Sequence, residues 1–324
     1  MPRRPLSLAA LLLAAPLHAL HALHAQHAQL PAWAFPMAPA APAAYDSLTP
    51  RTVPGSRAHY TEADILGRLV VPDWHPDDHP PMPSSVARGR PPVVPGCAYC
   101  HLPNGLGRPE NATITALPAA YIVQQIADMR SGARRAAWTT PAPWGASMIR
   151  VAQNATDAEV AEAAAYFAAL PPRTHMQVVE AARVPVTRVA GILYAVVPGG
   201  GTEPLGTRLV EVARDLGRHE QHDDLLGYVA YVPPGSISRG ARLATRGAAG
   251  FTTACVTCHG PGLHGLGAAP PLAGRSPSYL LRQLLAFQAG TRDTPAGQPM
   301  RAIVAGMTVD DMIAAVAYAA SRTP

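Results

Sequence analysis

Two short runs, Cys97-Ala98-Tyr99-Cys100-His101 and Cys255-Val256-Thr257-Cys258-His259, constrain this chain more than any other feature of it. A C-x-x-C-H run is the attachment signature of a c-type haem. Two thiols separated by two residues lie on one turn of helix and can both reach the vinyl groups of one porphyrin. The histidine that follows then falls beneath the iron as its proximal ligand. A redox C-x-x-C leaves the adjacent His unexplained. A zinc site would need the two pairs to meet, and they stand 158 positions apart. The four cysteines of the chain are all used by the two motifs, so none is left for a disulfide. The expected cofactors are two covalently bound haems c, attached at Cys97 and Cys100 and at Cys255 and Cys258, with His101 and His259 as iron ligands.

The two motifs belong to a longer repeat. At an offset of 158, Cys97 pairs with Cys255, Tyr121 with Tyr279, Gln125 with Gln283, Gly132 with Gly290 and Arg134 with Arg292. Beyond Arg134 the first copy has a loop six residues longer, and at an offset of 152 Met148 pairs with Met300, Thr156 with Thr308 and Tyr166 with Tyr318. An offset that holds on both sides of one loop marks two copies of one module. In each copy a Gly/Pro-rich loop follows the motif, Pro103 to Pro109 and Gly260 to Pro271. Helices are predicted from Ala119 to Ser131 and from Pro277 to Ala289, the latter with Ser276 as cap and proline in the first turn. Gly132 and Gly290 sit where a left-handed C-cap is wanted. Terminal helices start at Thr156, in the capping box Thr156-Asp157-Ala158-Glu159, and at Thr308.

With 324 residues the chain has room for about two domains, and 48% hydrophobic but only 6% aromatic residues point to small, helix-rich cores. Arg3 and Arg4 before the apolar run Leu6 to Leu17 read as a secretory signal over residues 1–30, too short for a comfortable membrane span. Export to the periplasm, with the protein there free or membrane-associated, agrees with haem attachment outside the bacterial cytoplasm. His18, His21, His24 and His27 form a His-Ala repeat that reads as part of the departing or disordered end. Residues 31–84 read as a Pro-rich extension. Within it Thr61 caps a short helix to Leu69, and Val71 to Pro83, with Trp74, forms a non-helical strap over the first module. His75 and His79 in the strap could ligate iron, but surface or hydrogen-bonded roles fit them better. Residues 85–172 and 236–324 are the two haem modules. Between them, residues 173–235 are rich in β-branched residues and read as a small antiparallel sheet or hairpin pair, with Pro198-Gly199-Gly200-Gly201 as a turn rather than a phosphate loop. Ser236 or Ser238 is expected to cap the helix that opens the second module. The net charge of +5 comes without Lys/Arg clusters and interleaved aromatics, which gives no case for nucleic-acid binding.

The sixth ligand of each iron is expected to be Met148 or Met300. Each follows loop-forming residues, Pro143-Trp144-Gly145 or Gly297-Gln298-Pro299, and precedes a capped helix by eight residues, so both read as standing in non-helical loops. A thioether there stabilises reduced iron. Met129, Met176, Met307 and Met312 read as core filler.

Two copies of C-x-x-C-H, loop, helix, Met and helix resemble class I cytochromes c joined in tandem, as in dihaem cytochromes of bacterial respiratory chains. The resemblance covers roughly 85–172 and 236–322. It implies a mainly α architecture of two helical cytochrome c-like domains in tandem, joined by a small β-containing insert, with each haem exposed at one edge. It also implies a proline after the motif whose carbonyl orients the proximal histidine. Pro270 fits that place, while the first module has Ala112 there. The tyrosines Tyr121 and Tyr279 resemble helix residues packed near haem. The function so implied is a periplasmic carrier of single electrons, not an enzyme, because Met/His ligation closes the iron to substrate. Its partners are redox proteins: a donor dehydrogenase or reductase complex and an acceptor oxidase or cytochrome. The alternatives are the electron-accepting subunit of a periplasmic dehydrogenase and a dihaem peroxidase-type enzyme.

Overall fold

Side-chain caps fix the helices where the sequence signals them. Thr156 and Thr308 each accept from the backbone N–H three residues on, and Glu159 and Asp311 return the bond to the cap's own N–H. These capping boxes start the helices Asp157–Ala169 and Val309–Ala320. Ser276 caps Pro277–Gln288, and Gly132, left-handed at φ 81, ends Ala119–Ser131. The helix opening the second module, Ser236–Arg246, is capped differently from expectation: Gly235 is its N-cap and no side chain serves. The computed structural model describes residues 30–38, 45–67, 70–138, 146–247 and 253–324. The signal and His-Ala repeat, Leu69, and Pro143 to Gly145 therefore lie outside the described residues.

The sequence repeat has a backbone counterpart. The N–H of Gly107 and that of Gly265 donate to the carbonyls of His101 and His259, and those of Ala116 and Gly274 donate to Phe167 and Ala319. Left-handed backbone recurs at four matched positions: Leu102 and Gly260, Gly105 and Leu263, Gly107 and Gly265, Ala116 and Gly274. Three of these eight residues carry a side chain despite φ between 54 and 65, a conformation that costs an L-residue about 1–2 kcal/mol. The loop path under the histidine is thus kept even where glycine is lost.

The architecture differs from the expected mainly α one. Helix accounts for 41% and strand for 14% of the described residues, and the insert builds a five-stranded mixed sheet. Its strands lie in the order Met176–Glu180, Tyr228–Val232, Val210–Ala213, Leu193–Val196, Thr187–Ala190. The first two pair in parallel from Met176 opposite Tyr228 to Glu180 opposite Val232. Parallel strands need a long crossover, which the intervening chain supplies, so the insert is not an antiparallel hairpin pair. Val210, Ala230 and Val232 are fully buried in it. The sheet is a structural layer of the chain rather than a minor bridge.

The insert is bonded to both halves. Glu211 accepts from the Ser276 hydroxyl at 2.8 Å and the Ser278 N–H at 3.0 Å. Asn104 donates to the Asp224 carbonyl. The helices Ser236–Arg246 and Val309–Ala320 pack so closely that a Cβ at Gly240 would overlap the Ala314 carbonyl. The strap does two jobs. Trp74, 1% exposed, stacks edge-on against Tyr60 and donates its indole N–H to the Gln221 carbonyl of the insert at 2.7 Å. A few residues on, the Tyr166 hydroxyl of the first half lies 3.2 Å from His79 Nδ1. The strap's only helical stretch among the described residues is the 3₁₀ turn Pro76–Asp78.

Candidate functional site

Each C-x-x-C-H run lies on or against one short helix, Ala98–His101 and Cys255–His259. That places the two sulfurs of each motif on one turn with the histidine at its end. His101 and His259 are buried. The Nδ1 of His101 donates to the Ala112 carbonyl at 2.9 Å, and that of His259 donates to the Pro270 carbonyl at 2.8 Å. A carbonyl can only accept, so the proton is on Nδ1 and the Nε2 lone pair is left for a metal. Burial lowers the pKa of both imidazoles and keeps them neutral, the ligating form. The proline ring that Ala112 lacks is therefore not what the bond requires; a backbone carbonyl eleven residues on suffices.

What holds that carbonyl in the first half comes from the second. Arg275, buried, donates from Nη1 to the Thr113 carbonyl at 2.5 Å and from Nη2 to the Thr115 carbonyl at 3.1 Å. Its Nε donates to Pro271 at 2.7 Å. The loop carrying Ala112 is thus clamped across the junction of the halves. In the first half the same repeat position is Leu117, which has no such reach.

A cavity of about 260 Å³ opens on Cys97 and His101. Ile114, Leu117, Ile122 and Phe167 contribute to its apolar wall, and Met148 lines it as well. The structure thus brings Cys97, His101 and Met148 to one space. Met148 does not stand in a loop: it lies in the helix Ala146–Asn154, and Met300 lies in Gln298–Val304. Pro299 does not break that helix because it occupies the first turn, where a missing N–H is no loss. Met300 is partly buried and is not among the residues lining the first cavity. Cys255 is partly buried and Cys258 exposed. Met312, Met307 and Met176 are core, as read, whereas Met129 lines the cavity beside Met148. Its repeat partner is Phe287, so a thioether at that place is not shared by the halves.

Burial pushes the Cys97 thiol up to about 12, with the neighbouring Cys100 adding to it. A reactive redox thiol is shifted the other way. Among the described residues no cysteine joins a cluster of three metal-binding side chains, which removes the zinc reading. His75 and His79 do not reach the cavity: they face Asp223 and Asp73 respectively.

The polar end of the cavity was only half visible in the sequence. Arg134 donates to Gln125 of its own half and to Tyr279 and Gln283 of the other, at 2.9, 2.9 and 3.0 Å. Arg292 mirrors it, bonding Gln283 at 3.1 Å, Tyr121 at 3.0 Å and Gln125 at 2.7 Å. The two arginines also face each other in an antiparallel bridge. Burial would lift the Tyr279 phenol, but Arg134 and Arg292 outweigh it and hold it below its usual range. Among the described residues neither Arg134, Arg275 nor Arg292 forms an ion pair with a carboxylate, and all three are buried. Buried cations ordinarily have an anionic partner. A haem brings two carboxylates. The cavity, the neutral Nε2 of His101 and the guanidinium of Arg134, which lines the cavity, fit that group.

Residues 244–322 match the cytochrome c family model. They carry the second C-x-x-C-H run and Met300, so this part of the chain is similar to cytochrome c domains, a class that holds haem c covalently. Across 84 residues, a quarter of the chain, it is 45% identical to a thiosulfate dehydrogenase electron acceptor of Stutzerimonas stutzeri (strain A1501), of which 39% is covered. A protein of the same description in Thiomonas intermedia (strain K12) is 26% identical over 216 residues, 65% of this chain and 69% of that protein. Among solved structures, thiosulfate dehydrogenase from Marichromatium purpuratum in its as-isolated form is 27% identical with a TM-score of 0.49, over 72% of this chain and 38% of that one. The chain thus spans well under half the length of the first of these relatives.

Proposed function

We propose that this chain is an exported electron carrier with two haems c, working in the periplasm as the electron-accepting partner of a thiosulfate dehydrogenase. The haems are attached at Cys97 and Cys100 and at Cys255 and Cys258, and their irons are ligated by His101 with Met148 and by His259 with Met300. Tandem cytochrome c modules over 85–172 and 236–324 hold them. The observation that carries this reading is the matched Nδ1 bond of His101 and His259, to carbonyls at the same repeat position, with Met148 in the cavity that His101 lines. Haem, when bound, supplies a one-electron iron couple. The chain's residues hold the imidazoles neutral and oriented, and around a bound haem the apolar wall of the His101 cavity would exclude water and Arg134 would offset a haem carboxylate. With two protein ligands on each iron, no position would be left for a substrate, and the chain would transfer electrons rather than catalyse at the metal. The names of the Stutzerimonas and Thiomonas relatives support the dehydrogenase as donor.

A redox titration of the purified protein with visible spectra tests this. Two thioether-linked haems, both low-spin with Met/His ligation, and reduction by a thiosulfate dehydrogenase given thiosulfate are the expected results. Fewer than two covalent haems, or an iron that binds peroxide in the resting protein, would overturn the reading.

A further inference from the structure

Three side chains that the haem site does not use converge where the strap meets the insert. His75 directly follows Trp74, whose indole bond to Gln221 fixes this part of the strap against the insert. Facing it, the insert turns after the helix Leu216–Glu220 and presents Asp223 and Asp224. His75 Nε2 lies 3.3 Å from Asp223 Oδ1 and 3.9 Å from Asp224 Oδ1. One donor atom from each of the three residues lies within 4.8 Å of the others. Both aspartates are 1% exposed and His75 is 9% exposed.

The two carboxylates are not in the same position. Asp223 is fully engaged: Oδ2 accepts from Arg218 Nε at 2.6 Å, and Oδ1 accepts from the Leu225 N–H at 3.0 Å. The backbone carbonyl of Asp224 accepts from Asn104 at 2.5 Å. Its two carboxylate oxygens are buried and have no hydrogen-bond partner. A buried carboxylate without donors is an expensive arrangement, and here one of its oxygens points into the His75–Asp223 cluster. A cation at the centre of the three atoms supplies what Asp224 lacks.

The spacing selects the kind of cation. Tetrahedral zinc with bonds of about 2.0–2.1 Å to nitrogen and oxygen separates its ligand atoms by about 3.3 Å. The 3.3 Å separation already has that length, and the 3.9 Å one needs a shift of about half an ångström. Calcium and magnesium ask for six or more oxygens and do not favour imidazole, whereas one imidazole with two carboxylates suits zinc and its first-row neighbours. Arg218 on the outer oxygen of Asp223 orients that carboxylate as outer-shell partners of metal ligands do.

We propose that His75, Asp223 and Asp224 form a binding site for a first-row divalent cation of the zinc type, with water completing the tetrahedron. The ion fastens the strap to the insert, and through Asn104 the insert to the first half. Its role is structural: it sets how firmly residues 71–83 are held.

The test uses the full-length holoprotein, stripped of loosely held metal with a chelator that leaves covalent haem in place. Zinc binding is measured by calorimetry and metal analysis for the native protein and for Asp224→Asn and His75→Gln. Each variant is expected to bind one zinc fewer per chain with unchanged haem spectra. Zinc taken up by the His18 to His27 repeat appears equally in all three and cancels. Zinc is expected to raise the melting temperature of the native protein but not of Asp224→Asn. Metal-free Asp224→Asn, relieved of a buried unpartnered charge, is expected to melt no lower than the metal-free native protein. Equal zinc stoichiometry and affinity in the native protein and both variants, or a native melting temperature indifferent to zinc, overturns the proposal.

Discussion

Arg275→Leu isolates the clamp between the halves, because leucine is what the first half carries at the matching place, Leu117. The substitution removes three bonds, two of which cross to the Thr113 and Thr115 carbonyls. At about 1.5–3 kcal/mol for each bond from a charged donor, the crossing pair contributes roughly 3–6 kcal/mol. Against this stands the burial of the guanidinium, which pulls its pKa from 12.5 to about 10. A shift of that size corresponds to roughly 3 kcal/mol lost from the charged form. The net loss of stability on mutation is therefore about 0–3 kcal/mol. The more telling readout is electrochemical. Without the clamp the loop bearing Ala112 relaxes, the Nδ1 bond of His101 weakens, and the basicity of that imidazole falls. His259 keeps its bond to Pro270, and the one bond lost on its side, from Arg275 Nε to the Pro271 carbonyl, leaves that Nδ1 bond in place. Spectroelectrochemical titration should then show one reduction potential moved and the other in place, together with a lower melting temperature. Two unmoved potentials would refute the argument that Arg275 stands in for the missing proline. A shift confined to the haem on His259 would refute it equally.

Met148→Ala and Met300→Ala should each halve the methionine–iron band at the red end of the oxidised spectrum, while Met129→Leu should leave it whole; loss of the band in Met129→Leu would transfer the ligand role to that residue. Gly240→Ala drives a methyl into the Ala314 carbonyl of a helix backbone that cannot give way locally, so it should cost about 1–3 kcal/mol or more in thermal or denaturant unfolding. Wild-type stability for that variant would mean that the helices slide apart at no cost. His219 is buried beside the Tyr228 hydroxyl, and burial pulls its pKa to about 4, outweighing the attraction of Glu110. The unfolded chain takes up this proton below about 6.5 while the folded one does not, so the contribution, roughly 3 kcal/mol, is present at neutral pH and lost as pH falls through 4. His219→Gln should flatten the fall in stability between pH 7 and 4; an unchanged slope would assign the acid lability to other groups.

The parts of this molecule readable from residues alone were those with local or repeated signatures. Thr156 with Glu159 and Ser276 with Pro277 announce helix starts because the bonds they make lie within one turn. The paired offsets announced Arg134 and Arg292, Tyr121 and Tyr279, as equivalents. They did not announce that each arginine crosses to the other copy, since a repeat says what is alike and not what touches. The sheet was misjudged for a related reason. Met176–Glu180 and Tyr228–Val232 each look like a strand, but their parallel pairing across some fifty residues leaves no mark in either segment. Gly297 and Pro299 make Met300 look like a loop residue, although proline in a first helical turn is harmless. Arg275 was silent because its partners are backbone carbonyls, which have no residue identity.

The crossed Arg134 and Arg292 bonds bind the fate of the two copies together. Severing the chain within the insert would give two fragments, each with a guanidinium whose tyrosine partner had gone with the other piece. Tyr121, Gln125, Tyr279 and Gln283 each accept an arginine bond from the other copy, so a substitution at any of them takes a contact from the opposite half.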